Sequence, residues 1–306
     1  MSSASVGTGP SAARTEGVRR ARTTTGRQRP KRRVSPGQVV VAGFVVVFLA
    51  WTLVPLAWMV LSSFKPPAAL TSGTPTVTFQ PTSAHWADVF AGPNTLVNYA
   101  KNSLLAAGIS TLISVTLGTL AGYGLARSRF RGKKHLSFWI LSTRMAPIAA
   151  VILPLFLMFR YAHLLHNVGG LIVAYLTFNL PFAIWIMSAF FQDLPKSLEE
   201  AAFIDGASRF TTFRRIALPL TTPGLVTTAI LCLVFSWNDY AFAATFSGPG
   251  SQTLPIAAAQ LLTQTGIDWG ALCAIGTVVV APMIVIGLAV RRYLVRGLTM
   301  GAVKGD

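Results

Sequence analysis

VSPGQVVVAGFVVVFLAWTLVPLAWMVLSSF, residues 34–64, carries no charged side chain. About 20 apolar residues at 1.5 Å rise cross the hydrocarbon core of a bilayer, so this stretch predicts a membrane-spanning helix over 39–61. It is too long for the apolar region of a signal peptide and no small-residue cleavage site follows it, so the helix is expected to be retained. Uncharged runs recur at 102–126, 161–192, 216–238, 240–267 and 269–290. Charged residues make up 11% of the chain, against about 25% in a soluble domain, and the deficit lies in these runs. The expected fold class is an all-α integral membrane protein with six transmembrane helices, near 39–61, 103–126, 135–159 (interrupted by Arg144), 168–191, 224–245 and 270–290.

The formal charge of +17 raises nucleic-acid binding, but a nucleic-acid domain needs a folded basic face or a reader motif, and the sequence shows neither. Membrane topology accounts for the charge instead. Nine Lys and Arg fall in residues 14–33, five between Arg127 and Lys134, four between Lys196 and Arg215 and four from Arg291 to Lys304. Only Lys65, Lys101 and Arg160 lie at the alternate ends of the spans. Positive charge collects on the cytoplasmic side, so both termini are expected there, and an even number of spans follows. Residues 1–37, rich in Ser, Thr, Gly and Arg, cannot bury enough apolar surface to offset ordering entropy. They read as a basic disordered cytoplasmic tail before a permease domain over 38–306. Cys232 and Cys273 are too few for a disulfide framework and have no neighbour at metal-ligand spacing.

The longest internal connection, about 192–222, contains DLPKSLEEAAFIDGASRFTTFRRIALPLTTPG at 193–224. Ser197 followed three residues later by Glu200 has the spacing of a capping box that starts a short helix. Gly206 supplies its stop, Ser208 can cap a second helix, and Phe210, Phe213 and Ile216 recur at the spacing of one helical face. Pro219 and Pro223 then break the chain. The expected product is a helix–Gly–helix projection offering Ala201, Ala202, Phe203 and Phe210. Two uses stay open on physical grounds: docking into a partner's groove, or lying on the membrane surface.

Glu200-Ala201-Ala202, with Asp205-Gly206 beyond and then Ile216-x-Leu218-Pro219, resembles the EAA signature of ABC importer permeases, and the match takes in Ala207, Phe213 and Pro223. The resemblance implies the type I importer permease fold, with this segment as a coupling helix seated on an ATP-binding subunit. It assigns that role to Glu199, Glu200, Ala201, Ala202, Phe203, Asp205, Gly206, Ala207, Phe213, Leu218 and Pro219. The end of the chain, Arg292-Tyr293-Leu294-Val295-Arg296-Gly297-Leu298-Thr299 through Gly305, resembles carbohydrate-importer permeases of the maltose-transporter membrane-subunit type. Ser62-Ser63-Phe64-Lys65-Pro66 and Trp237-Asn238-Asp239-Tyr240 resemble the same group. Leu141 to Met145 and the surroundings of Asn179 are similar to sorbitol and mannitol importers. The implied partners are a second homologous permease, two ATP-binding subunits, an extracytoplasmic solute-binding protein and the lipid bilayer of a bacterial plasma membrane. No cofactor is expected on this chain, with ATP and Mg on the partner subunits. No GxxxxGK[ST] loop occurs, and the expectation is a transporter subunit, not an enzyme.

Polar groups inside a bilayer face a cavity or a neighbouring helix. Arg144 could line a solute path, pair with a second permease, or snorkel to the headgroups. Asn179, Trp237, Asn238 and Asp239 could bind a sugar or polyol, or hydrogen-bond between helices. Gly118 and Gly122 form a GxxxG pattern that predicts close helix packing. Three rivals remain: an importer of the same type for an amino acid, peptide or oxyanion; an ion-coupled secondary transporter, which needs midplane carboxylates and finds only Asp239; and a membrane enzyme, for which no His, Glu or Ser cluster exists.

Overall fold

The computed structural model describes residues 36–91, 95–263 and 266–302; the basic tail expected over residues 1–37 lies almost wholly outside them. Two units separate at Trp51 and Thr52. Helix α1 (Pro36–Ser62) begins in the first and ends in the second. In the second unit it is followed by short helices α2 (Pro67–Leu70) and α3 (Ala84–Phe90). Then come the long α4 (Leu96–Arg127), α5 (Lys133–Met145), α6 (Ile148–Tyr161) and α7 (Val168–Asp193). The connection that follows holds α8 (Lys196–Ile204), α9 (Arg209–Thr212), a π-helical turn (Phe213–Ala217) and α10 (Leu218–Leu220). After it come α11 (Thr222–Trp237), α12 (Ala241–Phe246), α13 (Leu254–Gln260), a two-residue hairpin of β1 (Leu262–Thr263) and β2 (Gly266–Ile267), and α14 (Trp269–Ala302).

Four helices, α1, α4, α7 and α14, are single spans; α5 with α6, and 209–220 with α11, are bent pairs, which brings the count to six. The third span, expected over 135–159 with an interruption at Arg144, is broken just beyond that residue. Ala146 and Pro147 are extended and the halves meet at 94°. Proline lacks the N–H that would continue the ladder and steers the preceding residue out of the helical region. The fifth span also stops early, at Trp237 rather than near 245. Asn238 ends it, its Nδ2 donating to the Val234 carbonyl at 2.8 Å, and Asp239 Oδ2 accepts from Ala243 N–H at 3.0 Å to start α12. The last helix runs beyond 290 and takes the Arg292–Thr299 motif into regular helix.

α4 and α7 form the closest pair, and the glycine pattern explains how. A Cβ placed on Gly118 would lie 2.5 Å from Ala183 Cβ, and one on Gly122 would lie 2.8 Å from Ser188 N. Only bare Cα atoms permit that approach. Side chains of α4 that face inward are small and polar, among them Ser103, Ser110, Thr111, Ser114 and Thr119, all buried. Ser110, Ser236 and Asn179 then join three helices: Asn179 Nδ2 donates to Ser236 Oγ at 2.6 Å, and that oxygen is 3.4 Å from Ser110 Oγ. Gly118→Ala is expected to destabilise the protein by about 1–3 kcal/mol through overpacking. Gly124→Ala, which meets nothing within 4 Å, is expected to be neutral or stabilising by roughly 0.5–1 kcal/mol. Unfolding midpoints of the two variants in one detergent check this contrast.

Candidate functional site

The connection between α7 and α11 is built onto the ends of those helices and α4. Tyr123 and Arg127, one turn apart on α4, both reach α8. Glu199 Oε1 accepts from Arg127 Nε at 2.7 Å, and its Oε2 accepts from the Tyr123 hydroxyl at 2.9 Å. Arg127 Nη2 also donates to the Leu194 carbonyl at 3.2 Å. Beneath these bonds Tyr123 packs between Phe191 and Phe213, centroids 5.2 and 4.8 Å away. Ala126, Met187 and Ala217 complete the cluster.

The expected capping box does not form. Pro195 precedes the helix in extended conformation and Lys196 opens it, two residues ahead of the expected start, with no side-chain cap. Proline pre-sets the entry angle, which leaves Ser197 inside the first turn. The stop is as expected: Gly206 has φ +83°, its N–H bonds to the Phe203 carbonyl at 3.1 Å and that of Ala207 to the Ala202 carbonyl at 2.9 Å, the paired pattern of a Schellman motif. Ser208 caps α9, its Oγ accepting from Thr211 N–H at 3.2 Å.

Which face each residue takes differs from the expected knob. Ala202 is buried, and Glu199 is turned inward. Phe210, Phe213 and Ile216 do not share one face: Phe213 is buried while Phe210 is 67% exposed, and the π-helical turn from Phe213 resets the register. What remains bare is Glu200, Ala201, Phe203, Asp205 and Phe210, together with Leu198 and, outside the expected projection, Ile204. Ile204 is 87% exposed. An isoleucine left bare just before a positive-φ glycine was the available signal. Leu218 is half-buried and Pro219 exposed.

A second feature lies where α5 and α6 bend. A cavity of about 500 Å³ is lined by Arg144, Thr177, Phe178, Phe235, Asp239 and Phe242, among others. Arg144 is directed at α7 and α11. Its Nη1 donates to the Phe178 carbonyl at 2.8 Å, and its guanidinium lies 4.4 Å from the Phe182 ring and 4.5 Å from that of Phe235. A charge at mid-bilayer costs about 2.5 kcal/mol or more. A charged hydrogen bond contributes about 1.5–3 kcal/mol and each ring roughly 0.5–2 kcal/mol, enough to hold the cation at this depth. Asp239 faces the same space without pairing to it; the ion pairs among the described residues are Arg127–Glu199 and His85–Asp268. Of the other residues expected along a solute path, Asn179 is fully buried in the three-helix junction. Trp237 donates from Nε1 to the Val279 carbonyl at 3.0 Å, and Asn238 caps its own helix. Those three are held by helix–helix and capping bonds and are not among the residues lining the cavity.

A multi-pass bundle with broken spans beside an open cleft, and a short helix with bare apolar side chains between two spans, has the form of a membrane transport subunit. The chain belongs to the family of binding-protein-dependent transport system inner membrane components, which matches residues 114–300. It is 37% identical over 263 residues to the trehalose transport system permease protein SugB of Mycobacterium tuberculosis, covering 84% of this chain and 94% of that one. It is 33% identical over 258 residues to the trehalose/maltose transport system permease protein MalG of Thermococcus litoralis, covering 83% and 92%. A bacterial ABC transporter involved in import of the acidic polysaccharide alginate has a chain of the same fold, with TM-score 0.69 at 23% identity over 83% of this chain and 95% of that one. The protein is therefore an ABC importer permease subunit, not an enzyme, and works with ATP-binding subunits that carry the ATPase activity.

Glu199→Ala strips the partner from a nearly buried Arg127, and a loss of about 3 kcal/mol is expected. Hydrogen exchange of the 196–204 amides should rise while that of the Gly118–Gly122 turn stays protected.

Proposed function

We propose that this chain forms half of the translocation path of a sugar or polyol importer, paired with a second related permease. Two ATP-binding subunits bind at the α8 end, and an extracytoplasmic binding protein delivers solute at the other. The observation that carries the reading is the two-sided character of α8: locked to α4 through Glu199 on one face, bare at Phe203, Ile204 and Phe210 on the other. A short helix of that kind transmits force from a docked partner without bending. The positive charges favour a cytoplasmic side for α8 and both termini, in a bacterial plasma membrane. ATP closes the nucleotide-binding dimer, draws the coupling helices together and alternates access to the central cavity.

The cavity suits a polyhydroxyl solute. A cation and a carboxylate that forms no ion pair among the described residues face one space, as hydroxyls that both donate and accept require. The phenyl groups of Phe178, Phe235 and Phe242 offer apolar faces for sugar C–H groups. Both relatives described above are trehalose-system permeases, which favours a disaccharide.

The test is purification of the tagged chain in mild detergent, with co-purifying chains identified, followed by ATPase and radiolabelled trehalose uptake in proteoliposomes. A second permease and an ATPase should accompany it. Gly206→Pro should reduce uptake more than tenfold with the complex still assembled, and Ile204→Asp should release the ATP-binding subunit. Recovery of a lone chain without ATPase, or normal uptake by Gly206→Pro, would sink the coupling role.

A further inference from the structure

We propose that the pocket around Lys65 binds the phosphate group of a membrane phospholipid. Lys65 lies three residues beyond α1 and is only 2% exposed. Its backbone is clamped: His85 Nε2 is 2.9 Å from its carbonyl oxygen, Thr82 N–H donates to the Phe64 carbonyl at 2.8 Å, and Trp86 Nε1 donates to Ser63 Oγ at 3.2 Å. The ammonium sits 3.5 Å from the Trp58 ring centroid and 5.6 Å from that of Phe79. Among the described residues it has neither a carboxylate within 4 Å nor a hydrogen-bond acceptor. Ring faces are weak acceptors for its three N–H donors, and an anion in the open pocket would accept from them. An anion is the missing partner.

The pocket holds about 280 Å³ and is lined by Trp58, Ser62, Lys65, Gly73, Thr74 and Thr76 among others. The Thr76 hydroxyl is buried with no partner of its own. One ammonium and one hydroxyl therefore face the same space with donors unused, which is a receptor for a phosphate or carboxylate oxygen.

Depth selects the lipid. The span Gly37–Ser62 has 26 residues, about 39 Å at 1.5 Å each, against a hydrocarbon core of about 30 Å. Its end, and Lys65 just beyond, therefore fall at headgroup level, where tryptophan is also favoured. Flanking Trp58 on its face of α1, Val54 and Leu61 are exposed, apolar surface that an acyl chain can follow from the phosphate site. A carboxylate on a protein partner would use the ammonium and leave that strip bare.

The test uses the intact transporter complex, delipidated in detergent. Its thermal midpoint and native mass spectrum are recorded with phosphatidylglycerol, with a neutral diglycosyl diacylglycerol of the same chains, and with inorganic phosphate. Phosphatidylglycerol should stabilise the complex and remain bound. Lys65→Gln should weaken its binding at least tenfold, Thr76→Val should weaken it less, and Lys65→Arg should restore it. Equal retention by Lys65→Gln overturns the proposal. So does equal stabilisation by the glycolipid, which removes the role of phosphate, or by inorganic phosphate alone, which makes the ligand a free anion. Should Lys65→Gln fail to fold, photoactivatable phosphatidylglycerol on the unaltered complex decides: labelling within 58–76 supports the site, and labelling confined elsewhere refutes it.

Discussion

The approach of α4 to α7 at Gly118 and Gly122 is the constraint on which the rest of the bundle depends. Apolar side chains gain nothing from leaving lipid for each other, so helix association in a membrane relies on close packing and interhelical hydrogen bonds. Glycine at these positions brings backbone against Ala183, Met187 and Ser188. That distance lets short hydroxyls replace long apolar side chains on the inward face of α4. Once α4 and α7 are this close, Asn179 on α7 and Ser110 on α4 both reach Ser236, and α11 is held in the same junction.

Breaks in the spans follow a second rule: backbone that leaves the helical ladder in a bilayer must face protein or a cavity. The bend at Ala146–Pro147 and the interruption at 238–240 both border the cavity that Arg144 and Asp239 line. Arg144, Asp239 and irregular backbone are thus brought together at one place. The placement of Arg144 is part of the same economy. Its stem ends α5 at the bend and its head rests between two rings on neighbouring helices.

Much of this was legible in the sequence. Uncharged runs gave the spans because the bilayer penalises charge in proportion to depth, and the Gly118–Gly122 spacing gave the tightest packing. The Gly206 turn and the Ser208 cap followed from local chemistry alone. Hidden were features set by tertiary contact. Nothing in Glu199-Glu200 says which carboxylate turns inward; that is decided by Tyr123 and Arg127, more than 70 residues earlier in the chain. Their spacing of one turn at the end of a span was a usable hint only once α8 was known to lie beside it. For Trp237 and Asn179 the sequence left sugar binding and helix junction equally open, and the partner atoms show the junction bonds each makes. The interruption at Arg144 was expected, and Pro147 sets the bend just beyond it.

The distribution of bonds along α4 says how a force on α8 would travel. Tyr123 and Arg127 grip α8 at one end of the helix, and the glycine seam holds its middle to α7. Toward the other end Asn102 Nδ2 donates to the carbonyls of Gly250 and Gln252 at 3.0 and 2.9 Å, and Ser103 Oγ accepts from Leu254 N–H at 2.9 Å. α4 is therefore tied at both ends and its centre, and moves as a rod with α7. The α5–α6 pair carries the bend; it packs on α7 and α12 through Leu155, Phe156 and Phe159, and at the cavity Arg144 adds one hydrogen bond and two ring contacts. Sliding a guanidinium across phenyl faces changes one hydrogen bond, whereas parting the glycine seam would open voids along several turns of helix at about 1 kcal/mol or more for each lost methyl-sized contact. In the proposed cycle the softer boundary yields first. Displacement entering through Glu199 thus reaches the solute as a change in the walls of the Arg144–Asp239 cavity, with the α4–α7 scaffold intact.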